Sequence, residues 1–356
     1  DYPDRVQLMW NVDPLSAPVT EEFIIERDGA FLAQVDRGTG QFIDFNVQAG
    51  EFYEYGVIGR NVYGKGRPGI SVGFVNPNGV ATGQITTQTG NPVAGAVVTM
   101  KPTNGKALHF DGAGDYLCVD YNPELPSDKL TVSAWVRIGD TYDSDGIIDL
   151  GSDLNKNWWI HTTPASSGKG VVLGIGQGAN AASFAYEFEE NPDGWHYVAA
   201  VYAGGSALLY VDGVFKGSVI ATMVTQPARF SIGSHRNQGG FFQGNIDDVR
   251  IYDDILTQTD IILKSGITVS ANTPNLVAYW KFDEGMGTRV FDVSSNKMHA
   301  LMFGASFIED TPEIINAGIT DEGGYFVIEG VNYSSVQSFT ARPNKSFHTA
   351  YSLEFN

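Results

Sequence analysis

The chain has one cysteine, Cys118, in 356 residues. It can form no internal disulfide and no cysteine-based zinc site. Cations are scarce: 22 Lys and Arg stand against 41 Asp and Glu, for a net charge of −19. That balance excludes nucleic-acid binding through a basic face, which needs clustered cations to neutralise phosphates. It also disfavours docking on anionic lipid. No run of 18 apolar residues occurs, so no membrane-spanning helix is expected. The six histidines form no His-Glu-x-x-His motif and no close pair, which removes the common catalytic zinc signature. Asp1-Tyr2-Pro3-Asp4 has no basic or apolar leader character, so the chain is expected to be mature, excised or cytosolic. Helical periodicity is nearly absent, and only 256–265 reads as a short amphipathic turn.

What is abundant is glycine, 42 residues, with 12% aromatics. Glycine at about twice its usual frequency suits tight turns between short strands. It does not suit helices, where each costs about 1 kcal/mol against alanine. Over residues 1–76, Val6-Gln7-Leu8-Met9-Trp10, Phe23 to Glu26 and Tyr53-Glu54-Tyr55-Gly56-Val57 alternate apolar and polar. Turn signals stand at Asp28-Gly29 and Asn61 to Gly66. Such alternation predicts a β-sandwich. With Trp10 early, Tyr53 and Tyr55 late and the Asn61…Gly66 turn, this segment resembles a fibronectin type III module.

Beyond Asn76-Pro77-Asn78-Gly79 the pattern changes. Val80 to Thr86, a turn at Thr89-Gly90-Asn91-Pro92, and Val93 to Met100 are similar to the first half of a carboxypeptidase-regulatory-like (transthyretin-like) β-sandwich. The matching second half, Ala317-Gly318-Ile319-Thr320 through Tyr325-Phe326-Val327-Ile328, comes more than two hundred residues later. A small sandwich formed by 77–104 and 309–356, interrupted by an insert at 105–308, is the expected organisation.

The insert opens with Leu108-His109-Phe110-Asp111-Gly112 and continues with Leu130 to Val136. Gly194-Trp195-His196-Tyr197, Leu208 to Gly213 and Gly244-Asn245-Ile246-Asp247-Asp248-Val249 follow. These segments, in this order, resemble the laminin G-like, concanavalin A-like jelly roll. Tyr279-Trp280-Lys281-Phe282-Asp283 and the Asp292 loop, often found at the start of that family's module, stand here at its end. A jelly roll whose first and last strands are neighbours tolerates this. Adjacent ends are also what insertion into a host loop requires.

Three kinds of chemistry can be weighed. Glu187 and Glu189 would share one strand face, roughly 7 Å apart. They lack the central Asp of the glycosidase pattern and read as a solvent-facing strand, so no catalytic residue is assigned. Gly69-Ile70-Ser71-Val72-Gly73 matches a nucleophile elbow only in letters, since that motif needs a strand-to-helix turn. Leu173 to Gly178 is glycine-rich but opens no helix, so it is no phosphate cradle. The jelly-roll resemblance implies structural calcium where the Phe-Asp-Gly turn meets the Ile-Asp-Asp strand. Its ligands would be Asp111 and Asp247, with Asp248, Asp115 and Asp292 as further oxygens. The alternative is that Asp111-Gly112 is only a turn and Asp247 a surface carboxylate. Asp140 to Gly146 is acidic but lacks a full calcium-loop spacing.

For glycan binding, exposed rings near loops matter most. Tyr142, Trp158, His161, Arg236 and Phe241 are the candidate ligand-binding residues, with Trp158 or Phe241 expected at the surface. Trp158 and Trp159 alternate, so one of them should face the core. Trp135, Trp195 and Trp280 are expected in the core. Asn332-Tyr333-Ser334 and Asn344-Lys345-Ser346 fit the glycosylation sequon, which matters only in a eukaryotic secretory setting.

The expected fold is therefore all-β: a fibronectin type III sandwich, then a small transthyretin-like sandwich carrying a laminin G-like jelly roll. The resemblance implies a non-catalytic extracellular or cell-surface protein that binds a polysaccharide, a cell-surface glycan or a protein. Two alternatives are a structural filament repeat contacting copies of itself and an accessory region of a polysaccharide-degrading enzyme.

Overall fold

The computed structural model describes residues 5–12, 19–48, 52–75, 78–87, 89–100, 105–119, 128–140, 142–150, 156–225, 229–235, 239–314, 316–332, 338–342 and 351–354. The chain divides into two compact units, Asp1–Gly79 and Val80–Asn356.

In the first unit, Val6–Met9 pairs with Gln41–Asp44. A second sheet runs Ala30–Asp36, Glu22–Arg27, Phe52–Asn61 and Gly64–Lys65, with Gly69–Phe74 also on Phe52–Asn61. Asp28 and Gly29 both adopt positive φ, 52° and 75°. Two such residues twist a two-residue hairpin turn in the sense its strands require. Val6, Leu8, Phe23, Ile25, Tyr55 and Val75 form the core. Gly69-Ile70-Ser71-Val72-Gly73 lies in the strand Gly69–Phe74, with no helix after it.

In the second unit, two eight-stranded sheets enclose one large core. The first sheet runs Val214–Ile220, Ser206–Val211, His196–Ala203, Lys129–Ile138, Gln243–Tyr252, Ala107–Asp111, Ser306–Ile308, with Leu276–Trp280 beside Gln243–Tyr252. The second runs Ala181–Glu187, Gly170–Gly176, Trp158–Thr162, Gly146–Leu150, Phe230–Ile232, Tyr116–Val119, Ala300–Phe303, Arg289–Val290. Period-2 alternation explains the layering. In Lys129–Ile138, Leu130, Val132, Ala134, Val136 and Ile138 enter the shared core, while Trp135 points the other way.

That other face is covered by the helix Gln258–Ser265. Thr257 caps it reciprocally with Asp260, which satisfies otherwise orphaned amides. Ile261 packs with Tyr197, Ala199 and Val201. The Trp135 indole donates to the Ser265 carbonyl at 2.9 Å. Trp280 is fully buried, as expected. Trp195 departs from expectation: it precedes the strand His196–Ala203, is half-buried, and donates to Asp310 Oδ1 at 3.3 Å.

Ala107–Asp111 and Ser306–Ile308 are antiparallel neighbours, with Ala107 opposite Ile308. Lys106 and Glu309 form an ion pair at 2.9 Å beside them. The chain thus enters and leaves the jelly roll side by side. Outside it, Val97–Met100 pairs with Asn316–Ile319, so that Val98 lies opposite Gly318. Asn78–Gln84 pairs with Tyr325–Asn332. Thr320 locks this pairing: its hydroxyl accepts from the Ala96 amide at 2.8 Å and donates to the Val93 carbonyl at 2.7 Å. Ile85, Val98, Phe326 and Ile328 make a small core of their own.

Candidate functional site

The second sheet of the jelly roll has an inner face in the core and an outer face directed away from it. Trp158, Ile160, Ile148, Leu150, Phe230, Ile232, Leu117 and Val119 are inner residues. Alternation therefore turns Trp159, His161, Asp149, Ser231, Tyr116 and Cys118 to the outer face. Across the paired strands, Cys118 stands opposite Ser231, Ser231 opposite Asp149, Asp149 opposite Trp159, and Trp159 opposite Gly174.

Rings dominate this face. Trp159 stacks on His161 at 4.5 Å between centroids, and His161 stacks on His235 at 4.8 Å. His161 Nε2 bonds Asp149 Oδ2 at 2.8 Å. Toward the other edge, Tyr116 stacks on Phe303 at 4.6 Å with 10° between planes, and Phe241 tilts against Tyr116 at 6.3 Å. Phe303 is 42% exposed. Asp145 lies near enough to His161 for the imidazole to oppose the rise in its pKa that burial causes. The Ser234 hydroxyl is sealed from solvent and has no hydrogen-bond partner among the described residues. Trp159, His161 and Asp149 are themselves buried, at 7%, 4% and 2% exposure, so the ring surface open to a ligand is that of Phe303 and the half-buried Tyr116, Phe241 and His235.

Of the candidate ligand-binding residues, the structure brings His161 and Phe241 onto this face. Trp158 does not reach it. Trp158 is 1% exposed and packs against Phe230 in the jelly-roll core. The parity of the strand assigned one tryptophan to each face, and the outward one is Trp159. Tyr142 is half-buried against the core, and its hydroxyl donates to the Ser167 carbonyl at 2.7 Å. Arg236 lies outside the described residues. Tyr116, Phe303 and Asp149 also lie on this face and are not among the sequence candidates. Strand alternation marks them as outward, but outward apolar residues are common and give no signal alone. Glu187 and Glu189 are both exposed.

The five carboxylates expected around calcium occupy three separate places. Asp111 is exposed, and its Oδ1 accepts from the Ala113 amide at 2.7 Å. Asp115 accepts from the Asp111 amide at 2.9 Å, and burial raises its pKa. Asp111 pairs with Gln243, four positions before Asp247, which at about 3.3 Å per residue is roughly 13 Å along the strand. Asp247 is buried, not a surface carboxylate. Its Oδ1 accepts from the Asp248 amide at 2.7 Å, and burial, with nearby Asp283, pushes its pKa far up. Asp248 is committed to Arg250 and to the Tyr279 hydroxyl, each at 2.7 Å.

Asp292 is saturated. It accepts from the amides of Tyr279, Ser294 and Met298 and from the Ser294 hydroxyl. That is the work of a turn clasp. Among the described residues no group of three or more His, Cys, Asp or Glu is placed to hold a metal ion. These residues do not fit a calcium centre.

The solved structures similar to this chain include the following three, each at low identity. A Bacteroides ovatus protein described as a candidate carbohydrate-binding protein is 15% identical, covering 87% of this chain and 90% of that one, with a TM-score of 0.47. A heptameric SAP-like pentraxin from Limulus polyphemus is 18% identical over 65% of this chain and 96% of that one, with a TM-score of 0.39. The CBM40 of the Ruminococcus gnavus IT-sialidase, bound to α2,3-sialyllactose, is 14% identical over 44% and 97%, with a TM-score of 0.36. No curated protein matches the sequence. Residues 111–262, the centre of the jelly roll, match the family model of the concanavalin A-like lectin/glucanases superfamily.

Proposed function

We propose that this protein binds a glycan without cleaving it, through the outer face of the sheet that carries Trp159. One observation carries the reading. The exposed ring of Phe303 and the half-buried rings of Tyr116, Phe241 and His235 border one face of one sheet, around the buried Trp159–His161 stack and its polar pair. Sugar rings present flat C–H faces to such rings and hydroxyls to such polar groups. The superfamily matched by 111–262 is named for sugar-binding and sugar-cleaving members. Glu187 and Glu189 are both exposed, at and beyond the end of the edge strand Ala181–Glu187.

In the same reading, residues 1–76 are a fibronectin type III-like module. Residues 77–104 and 309–356 are one discontinuous sandwich that holds the jelly roll of 105–308 by two strands. The protein works at a cell surface or outside the cell.

A glycan array followed by calorimetry tests the reading. The expected result is binding to a defined sugar class, lost in Phe303→Ala, which removes the exposed ring of the face. Retained binding in that variant overturns the assigned face. Reducing-sugar release by the protein alone overturns the non-catalytic reading.

A further inference from the structure

His196 is buried and takes no part in the glycan-binding face. It opens the strand His196–Ala203, and both of its ring nitrogens are engaged. Nδ1 lies 2.7 Å from Asp212 Oδ2, and Nε2 lies 3.0 Å from the Asn191 carbonyl oxygen. The Phe188 ring stacks on the imidazole at 3.9 Å between centroids.

Both partners are acceptors. A carbonyl oxygen has no proton to give, and neither has a carboxylate. Asp212 reaches solvent, and its Oδ1 accepts from the Tyr197 amide at 2.9 Å. Each ring nitrogen can therefore bond only by donating, which requires a proton on both. The Phe188 ring face favours the resulting cation.

Asp212 is the charged group that the ring touches. Lys216, on the strand Val214–Ile220, is within electrostatic reach of Asp212 and of Glu189. Glu190 is exposed beside Glu189. On the neighbouring strand Lys129–Ile138, Val136 stands opposite His196. Asp193 is held by other groups: Lys169 pairs with its Oδ1 at 2.6 Å, and Arg137 Nε donates to its carbonyl at 2.8 Å.

A neutral imidazole has one N–H for these two acceptors. The bond to a carboxylate is charge-assisted and the stronger of the two, so the proton stays on Nδ1. The Nε2 lone pair then faces the Asn191 oxygen, and that contact turns from attraction to repulsion. Asn191 is exposed, with φ at 45°, and its carbonyl also accepts from the Gly194 amide at 2.8 Å. The Asn191 end of the turn can therefore move away while Asp193 stays anchored.

We propose that His196 is a proton-operated latch, which holds the turn 189–194 against the hairpin at Asp212 when doubly protonated and releases its Asn191 end on losing one proton. Histidine is the side chain that changes charge between pH 5 and 8. The turn is closed in mild acid and open in mild base.

Hydrogen exchange of the full chain at pH 5 and pH 8, corrected for the intrinsic rate at each pH, tests the latch. The segment 188–195 should lose protection about tenfold at pH 8, in keeping with the loss of one bond to a charged group. Protection of Lys129–Ile138 should not change. In Asp212→Asn, the amide oxygen can still accept from the Tyr197 amide while the amide N–H donates to Nδ1. A neutral imidazole then keeps its proton on Nε2 for Asn191, so this turn should stay closed at both pH values. Asparagine also suits the φ of 52° at position 212. His196→Phe should leave the turn open at both. Protection of Lys129–Ile138 reports that each variant is folded, and the parent and Asp212→Asn decide the matter without His196→Phe. Equal protection of the parent turn at the two pH values would overturn the proposal. So would an Asp212→Asn turn that is open at pH 8, or a pH response that persists in a folded His196→Phe.

Discussion

The indole of Trp159 lies flat against Gly174 on the neighbouring strand: a Cβ at 174 would meet Trp159 Cζ2 at 2.0 Å. The glycine is the seat that lets the ring lie along the sheet and stack on His161. Gly174→Ala should therefore displace the ring. Overpacking of this kind costs about 1–3 kcal/mol. Glycan affinity should fall as far as in Trp159→Ala. Chemical denaturation and calorimetry on both variants check this, and unchanged affinity in Gly174→Ala would show that the ring's pose does not matter.

Thr320 and Ala96 are joined across 224 positions of sequence by the bond from the Ala96 amide to the Thr320 hydroxyl. Thr320→Val keeps the shape but leaves that amide and the Val93 carbonyl unsatisfied in a buried place. Each such loss costs about 1–3 kcal/mol. Because Ile85, Val98, Phe326 and Ile328 form a core separate from that of the jelly roll, the loss should be local. Hydrogen exchange should quicken over 93–98 and 316–320 while Lys129–Ile138 keeps its protection. Uniform loss of protection would mean that the two cores unfold as one.

The all-β fold was legible because it rests on period-2 alternation and on turn residues. Asp28-Gly29 made its hairpin, and the short helix formed where 256–265 showed periodicity. The pairing of Val97–Met100 with Asn316–Ile319 could be read from two half-patterns that each lacked a partner. Side-chain chemistry was harder to read. Alternation says that Trp158 and Trp159 face opposite ways, but not which faces the core. That choice is settled by Phe230 and Gly174, which come from other strands. The carboxylates were hard to read for a related reason. An Asp beside an Asp looks like a cation site in sequence, whereas here Arg250 already holds Asp248 and backbone amides fill Asp292.

Glu284 sets a pH dependence. Its Oε1 accepts from the Phe291 amide at 2.8 Å, while Oε2 is sealed with no hydrogen-bond partner among the described residues. Burial above all, with nearby Asp283, raises its pKa from 4.5 to about 7, and Lys281 opposes the rise. The folded state thus holds this proton more tightly than the unfolded state. Its contribution to stability is full below about pH 4.5 and is lost as pH rises through 7. A rise of that size corresponds to about 3 kcal/mol. Glu284→Gln, which cannot ionise, should match the parent near pH 4.5 and exceed it in urea midpoint at pH 8. A variant no more stable than the parent at pH 8 would show that Glu284 ionises freely in the fold.

Arg250 ties the helix to the sheet from a fully buried position. It donates to the Lys264 and Ile267 carbonyls and to Asp248 Oδ2, each at 2.7 Å, and its guanidinium stands over the Tyr279 ring at 4.6 Å. Removing one member of a buried pair strands the other, at a cost of about 3–5 kcal/mol. Arg250→Met should pay that cost, because Asp248, whose pKa burial already raises, would lose its main cation and have either to stay charged in a buried place or to take up a proton. Pairing it with Asp248→Asn removes the stranded charge, so the double variant should be more stable than the sum of the singles predicts. A double-mutant cycle in urea measures the difference. Additive losses would mean that Arg250 acts through the two carbonyls alone, and that Asp248 could be replaced without consequence for how the helix is held.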